Sequence, residues 1–148
     1  MTVVFKRINK NQALQGAAII VEAYSAAPWH EHWTIERANA RMVELSTTPG
    51  WLGVGALDGE DLHGFAIGYP HTAATGCMLY IPEIAVMPAH QGKGIGTALL
   101  KLLEEEALAA GFSSTWLLSQ NEGVAADYYR SASYRQSPNH RIYSKPLK

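Results

Sequence analysis

Glu83-Ile84-Ala85-Val86-Met87-Pro88-Ala89-His90-Gln91-Gly92-Lys93-Gly94-Ile95-Gly96-Thr97-Ala98-Leu99-Leu100 reads as an apolar strand that runs into a glycine-rich turn, and the turn opens a long helix. A helix start leaves backbone N–H groups without intrahelical partners and carries partial positive charge, so it attracts anions. Glycines at 92, 94 and 96 let the backbone approach a phosphate with no Cβ in the way, and Lys93 adds a full positive charge. The segment therefore predicts a phosphate or pyrophosphate cradle; close packing of the turn alone is the alternative. Two common cradles are excluded. No Gly-Lys-Ser/Thr stands at P-loop spacing, and glycines at 92, 94 and 96 only do not make G-x-G-x-x-G. No acidic residue closes a following strand as a ribose ligand would.

Outward from this segment, Leu99, Leu100, Leu102, Leu103 and Leu108 form the apolar stripe of a helix over 94–110, and Gly111 stands at its C-cap. Ser114–Leu118 predicts a buried strand. A strand, a long helix and a further strand make a crossover unit with parallel strands. Upstream, Met78–Met87 is a strand-like run interrupted by Pro82. Trp51–Leu57 and Leu62–Gly68 flank Asp58-Gly59-Glu60-Asp61, a hairpin signal. Thr34 is a good N-cap for a helix reaching about Thr47. Gln12–Ala27 has helical spacing and is closed by Pro28, while Val3–Ile8 is a plausible first strand. Val124–Ala132 predicts a short helix and Arg141–Ser144 a last strand. The order β-α-α-β-β-β-α-β-α-β predicts an α/β fold, with a mixed sheet and helices on both faces.

A length of 148 residues fits one domain, expected to span 1–148. With 47% hydrophobic and 17% charged residues the chain is globular and not disordered. A net charge of −1 argues against nucleic acid as a partner. The single cysteine, Cys77, precludes an intrachain disulfide and a cysteine-cluster zinc site, which fits a reducing compartment. No apolar run reaches transmembrane length, and the N-terminus places its apolar residues before its basic ones, the reverse of a secretory signal. A cytoplasmic protein with no membrane partner is expected.

The pattern Gln91-x-x-Gly94-x-Gly96, preceded by Glu-Ile-Ala-Val-x-Pro and followed by Asn121 and Tyr129, resembles the acetyl-CoA signature of the GNAT superfamily of N-acetyltransferases. The resemblance is good over 51–134; the first 50 residues match only in the order of their elements. It implies a GNAT-like fold: a mixed, mainly antiparallel central sheet, helices on both faces, and a β-α-β core that binds acetyl-CoA. It implies that the pyrophosphate lies on the backbone of Gly92, Lys93, Gly94, Ile95, Gly96 and Thr97, beside Gln91. The pantetheine arm would pair with Ile84, Ala85 and Val86 like an added strand, and one N–H there would stabilise the oxyanion. Asn121 matches a family asparagine that touches the arm, or is an ordinary loop residue. Tyr128-Tyr129-Arg130-Ser131-Ala132-Ser133-Tyr134 resembles the family's Φ-Tyr-x-x-x-Gly-Φ, with Ser133 in place of glycine. Tyr129 is then the acid that protonates the departing thiolate, or else a packing aromatic.

The amine must lose a proton. Some family members place a carboxylate on the strand after the long helix, but here that strand reads Trp116-Leu117-Leu118. Glu83 is the better candidate base, acting through a water; a surface salt bridge is its other reading. Trp29, His30 and Trp33 lie in the loop that often walls the acceptor site in this family; the two Trp residues either contact the acceptor or pack in the core. The spacing of His30, Glu31 and His32 does not match a zinc motif, so no metal is expected. His63, His71, His90 and His140 read as structural or exposed. The expected activity is acetyl transfer from acetyl-CoA to a primary amine by direct attack in a ternary complex, the acceptor being a small amine. The alternatives are a protein N-terminal or lysine acetyltransferase, or a non-catalytic acyl-CoA sensor. The resemblance also allows a homodimer.

Overall fold

The computed structural model describes residues 2–27 and 29–147, so Pro28, expected to close a helix, lies outside the described residues. The chain divides into two compact units, Met1–Leu118 and Ser119–Lys148, and each is described by itself. Among the described residues no helix is long and apolar enough to cross a membrane.

The first unit holds a five-stranded sheet in the order β1-β2-β3-β4-β5. Its strands are β1 Val4–Arg7, β2 Leu52–Asp58, β3 Asp61–Ala73, β4 Gly76–Val86 and β5 Ser114–Trp116. The first three junctions are antiparallel and β4–β5 is parallel, so the sheet is mixed and mainly antiparallel, as the resemblance implies. Gly59, at φ +61°, makes the β2–β3 turn that Asp-Gly signals.

The expected helix over 12–27 is two helices, α1 Lys10–Leu14 and α2 Gly16–Ser25. Asn9 opens α1 with a reciprocal capping box to Gln12. The break has a tertiary cause. The Gln15 amide donates to the Glu60 carbonyl (2.9 Å) and accepts from the Leu62 N–H (3.1 Å), which ties the junction to the β2–β3 hairpin. Gly16 follows because a Cβ there would stand 2.9 Å from the Phe65 ring. Helix α3, Ile35–Thr47, starts where expected, with the Thr34 hydroxyl accepting from the Arg37 N–H.

Strand β4 runs without a break through Pro82. Ile67 pairs with Glu83 and Tyr69 with Tyr80, so Ile81 and Pro82 together face Gly68 in a β-bulge. A bulge leaves a residue outside the ladder, which is where a proline lacking its N–H is tolerated. Gly68 is required there, because its Cβ would meet the Tyr80 carbonyl at 2.7 Å. The bulge also brings Glu83 onto the same face as Ile67.

Helices cover both faces. A Cβ on Gly64 would touch Leu99 and Ile95 of helix α4, Ile95–Ala109, whereas neighbouring Phe65 packs on the opposite face beside Gly16 and Met42. Phe65, Met42, Ile19 and Ile20 are fully buried on that second face, and each such side chain contributes about 1.5–3 kcal/mol by leaving water. Gly111, at φ +94°, ends α4 with the Phe112 N–H donating to the Ala107 carbonyl. Strand β5 departs from expectation: it is three residues long and half-exposed. It lies at the edge of the sheet, where only one neighbour is available to bury it.

In the second unit, α5 spans Val124–Ser131. Residues 141–144 form no strand. Ile142 and Tyr143 are 70% and 92% exposed, and without a ladder or a buried face a four-residue run has nothing to hold it extended.

Candidate active site

The turn between β4 and α4 is built from glycines that keep side chains away from a helix start. A 3₁₀ turn over Pro88–His90 leads from the strand, and Gln91 returns its side-chain amide to the Val86 carbonyl at 3.0 Å. Gly92 and Gly94 then take φ +77° and +80°, the left-handed region that costs other residues about 1–2 kcal/mol. Around both glycines the space a Cβ would enter is open. Gly94 is the N-cap of α4, which carries no side-chain cap and no acid in its first turn. The Ile95 side chain lies against Gly64, while Lys93 and Thr97 are exposed. A helix start with this charge and clearance fits a pyrophosphate.

Strand β5 meets β4 only over Met78–Tyr80. Among the described residues no strand continues that parallel ladder, so Ile84, Ala85 and Val86 lie beyond it, on the edge of β4 opposite β3. A strand edge outside a ladder can pair with the two amides of an extended pantetheine arm.

Glu83 is not at the surface: it is 6% exposed. Its Oε1 accepts from the Tyr24 hydroxyl at 2.7 Å and its Oε2 from the Arg41 Nε–H at 2.9 Å. Burial pushes the carboxyl above the usual glutamate range; the Tyr24 hydrogen bond and the Arg41 charge pull it back only in part. A carboxylate held this way still has a lone pair free on each oxygen, and its raised proton affinity suits it to take a proton. The loop expected to wall the acceptor adjoins this group, since the Trp29 ring stands edge-on to Tyr24 at 5.7 Å. His30 adopts φ +47°, and the Trp33 indole N–H donates to Glu31 while its ring packs on the core.

His63 and His90, expected to be structural or exposed, are stacked: their rings lie 3.8 Å apart and 7° from parallel, at the neck of the glycine turn. Both Nδ1 atoms are buried without a hydrogen-bond partner. Desolvation, then the neighbouring His63 and Lys93, hold His90 below the usual imidazole range. The unfolded chain therefore binds the proton more readily, and the stability contributed by neutral His90 is present above pH ~6.5 and lost as pH falls below it. The thermal midpoint of the native protein should fall between roughly pH 7 and 5, and His90→Gln should flatten that fall; equal slopes for the two proteins would remove the stacked pair as its cause.

In the second unit, the Asn121 carbonyl accepts from Arg130 and its Oδ1 from Gln136. The Tyr129 ring is edge-on to Tyr128 at 5.0 Å and to Tyr134 at 5.9 Å. Ser133, where the family has glycine, takes φ +71°, a glycine-like conformation.

Sequence reading missed Tyr24 and Arg41. They lie 59 and 42 residues from Glu83, and only packing brings them to it.

A family model described as acetyltransferase (GNAT) matches residues 16–134. No curated protein matches the chain. Among solved structures, the chain is similar to an aminoglycoside acetyltransferase from an uncultured soil metagenomic sample, in complex with sisomicin. That match has 18% identity and a TM-score of 0.74, covering 97% of each chain. A ribosomal-protein-alanine N-acetyltransferase from Brucella melitensis biovar Abortus 2308 matches with 18% identity and a TM-score of 0.72, covering 97% of this chain and 99% of that one. An aminoglycoside N-acetyltransferase in complex with CoA matches at 12% identity and a TM-score of 0.73, covering 99% and 96%. At such identities the likeness is one of fold.

Proposed function

We propose, from the premise that this chain belongs to the acetyltransferase (GNAT) family, that it moves the acetyl group of acetyl-CoA directly onto a small primary amine. The observation that carries the reading is the start of α4, where two left-handed glycines with open space around them and an N-cap without a side-chain cap leave room and positive potential for a pyrophosphate. Gln91 shapes the turn, and Gly92, Lys93, Gly94, Ile95, Gly96 and Thr97 bind through their backbone. Ile84, Ala85 and Val86 pair with the pantetheine arm. The bound thioester supplies the electrophilic carbonyl.

Glu83 takes a proton from the amine through a water. The amine nitrogen bonds to the carbonyl carbon, the carbon–sulfur bond breaks, and Tyr129 returns a proton to the sulfur, so the products are an amide and free CoA. Trp29, His30 and Trp33 wall the acceptor, and Asn121 contacts the cofactor arm. The family match crosses from the first compact unit into the second, which supports treating 1–148 as one functional domain. A small acceptor is favoured by the aminoglycoside enzymes among the similar folds and by a base as buried as Glu83. The lone cysteine supports a cytoplasmic location.

Free-thiol release from acetyl-CoA tests the reading, with sisomicin, 1,4-diaminobutane, glycinamide and an alanine-ended peptide as acceptors. Thiol released only when an amine is present supports transfer; binding of acetyl-CoA without release by any amine makes the chain a sensor. Direct transfer carries its own prediction. Cys77 stands six residues before Glu83 on β4, about 20 Å away at ~3.3 Å per residue. Cys77→Ala should therefore retain most of the turnover, and an acetyl-thioester trapped on Cys77 by mass spectrometry would overturn the ternary-complex route.

A further inference from the structure

We propose that Arg41 is a positioning residue for acetyl transfer, holding the Glu83 carboxylate aimed and ionised from one side while the Tyr24 hydroxyl holds it from the other. The inference rests on the reading of Glu83 as the base. Three elements converge on one carboxylate: α2 supplies Tyr24, α3 supplies Arg41, and the bulged strand β4 supplies Glu83 itself. Each carboxylate oxygen receives one directed donor, at 2.7 Å and 2.9 Å, which fixes the rotation of the carboxylate plane. The second lone pair on each oxygen remains for the acceptor or a bridging water.

The two donors are not equivalent. Tyr24 donates a neutral hydroxyl, which also lies 3.4 Å from the Ile84 carbonyl. Arg41 donates through a guanidinium that stays charged at every working pH. Its side chain is 35% exposed while Glu83 is 6% exposed, so the cation is far better hydrated than the anion. Burial by itself favours the protonated form of Glu83, which cannot act as a base. The other charged or titratable groups that act on it are Glu31, whose charge opposes ionisation, and Tyr80 on β4, which carries no charge near neutral pH. Arg41 is thus the one cation among them, and removing it leaves every remaining charge opposed to ionisation.

The test follows the Glu83 proton directly and through turnover. In protein labelled with [13C]carboxyl glutamate, the Glu83 resonance is assigned by its disappearance in Glu83→Gln and titrated by NMR. In Arg41→Gln its midpoint should rise by about one unit or more, the shift expected when an adjacent opposite charge is lost. With the fastest acceptor of the amine panel, the acid limb of the kcat profile should move up by the same amount. Turnover should drop about tenfold below the limb and recover well above it. Arg41→Lys keeps the charge without the planar fork, so its limb should move less while its plateau drops severalfold. That variant also carries the test if Arg41→Gln does not fold. A uniform loss across pH with an unmoved Glu83 midpoint, or an Arg41→Lys protein with native limb and plateau, would overturn the proposal. Persistence of the acid limb in Glu83→Gln would instead overturn the reading of Glu83 as the base, so the two failures are distinct.

Discussion

Gly94→Glu should abolish acetyl-CoA binding and leave the fold intact. Gly94 is exposed, and no atom lies within 4 Å of the position its Cβ would take, so a side chain enters open space. The left-handed backbone at φ +80° is kept at a cost of about 1–2 kcal/mol. The new carboxylate then occupies the place where the pyrophosphate is proposed to lie, at the positive end of α4. Repulsion from each phosphate charge at ~5 Å is worth about 1–3 kcal/mol between bulk and surface screening. Two such charges, with the close approach lost, lower affinity by about 10²-fold or more. Gly94→Asn separates the causes, because asparagine tolerates the left-handed region and adds no charge; it should keep affinity within about tenfold. Calorimetric titration with acetyl-CoA measures both, and an unchanged affinity in the glutamate variant would falsify the assignment of this turn.

Tyr129→Phe should lower turnover by about 10²–10⁴-fold, the effect of losing a positioned acid, while Tyr128→Phe keeps most of the rate. The family spacing places Tyr129 five residues before Tyr134 at the acid position. Ser133 supports that register, because it takes a left-handed conformation that favours glycine at the position where the resemblance expects one. Loss of one hydroxyl leaves the ring and its edge contacts with Tyr128 and Tyr134, and thermal melts of both variants serve as the folding control. A crippled Tyr128→Phe beside an active Tyr129→Phe would shift the register by one residue. Full activity in both would hand the sulfur's proton to water or to the amine itself, with Tyr129 left as a packing residue.

The parts legible in the sequence are those set by local chemistry. Thr34 as an N-cap, Asp58-Gly59 as a tight turn, Gly111 as a C-cap and the glycines at the start of α4 each answer to a backbone requirement within a few residues. The structure bears them out at those positions. The expected single helix over 12–27 failed because Gln15 answers to a hairpin 45 residues away, a constraint helical spacing does not contain. The last strand over 141–144 failed because a strand depends on a partner that local pattern does not supply.

The amino-acid sequence by itself determined the order of the elements from Thr34 to Ser131, the glycine turn before α4 and the family, since each depends on residue type and short spacing. Tertiary structure alone decided the character of Glu83. The bulge at Gly68 sets the face on which Glu83 stands, and helix packing buries it and carries Tyr24 and Arg41 to its two oxygens. The same packing stacks His63 on His90. A carboxylate's proton affinity follows from its desolvation and from the charges within a few ångströms, and both are properties of the folded arrangement rather than of the order of residues along the chain.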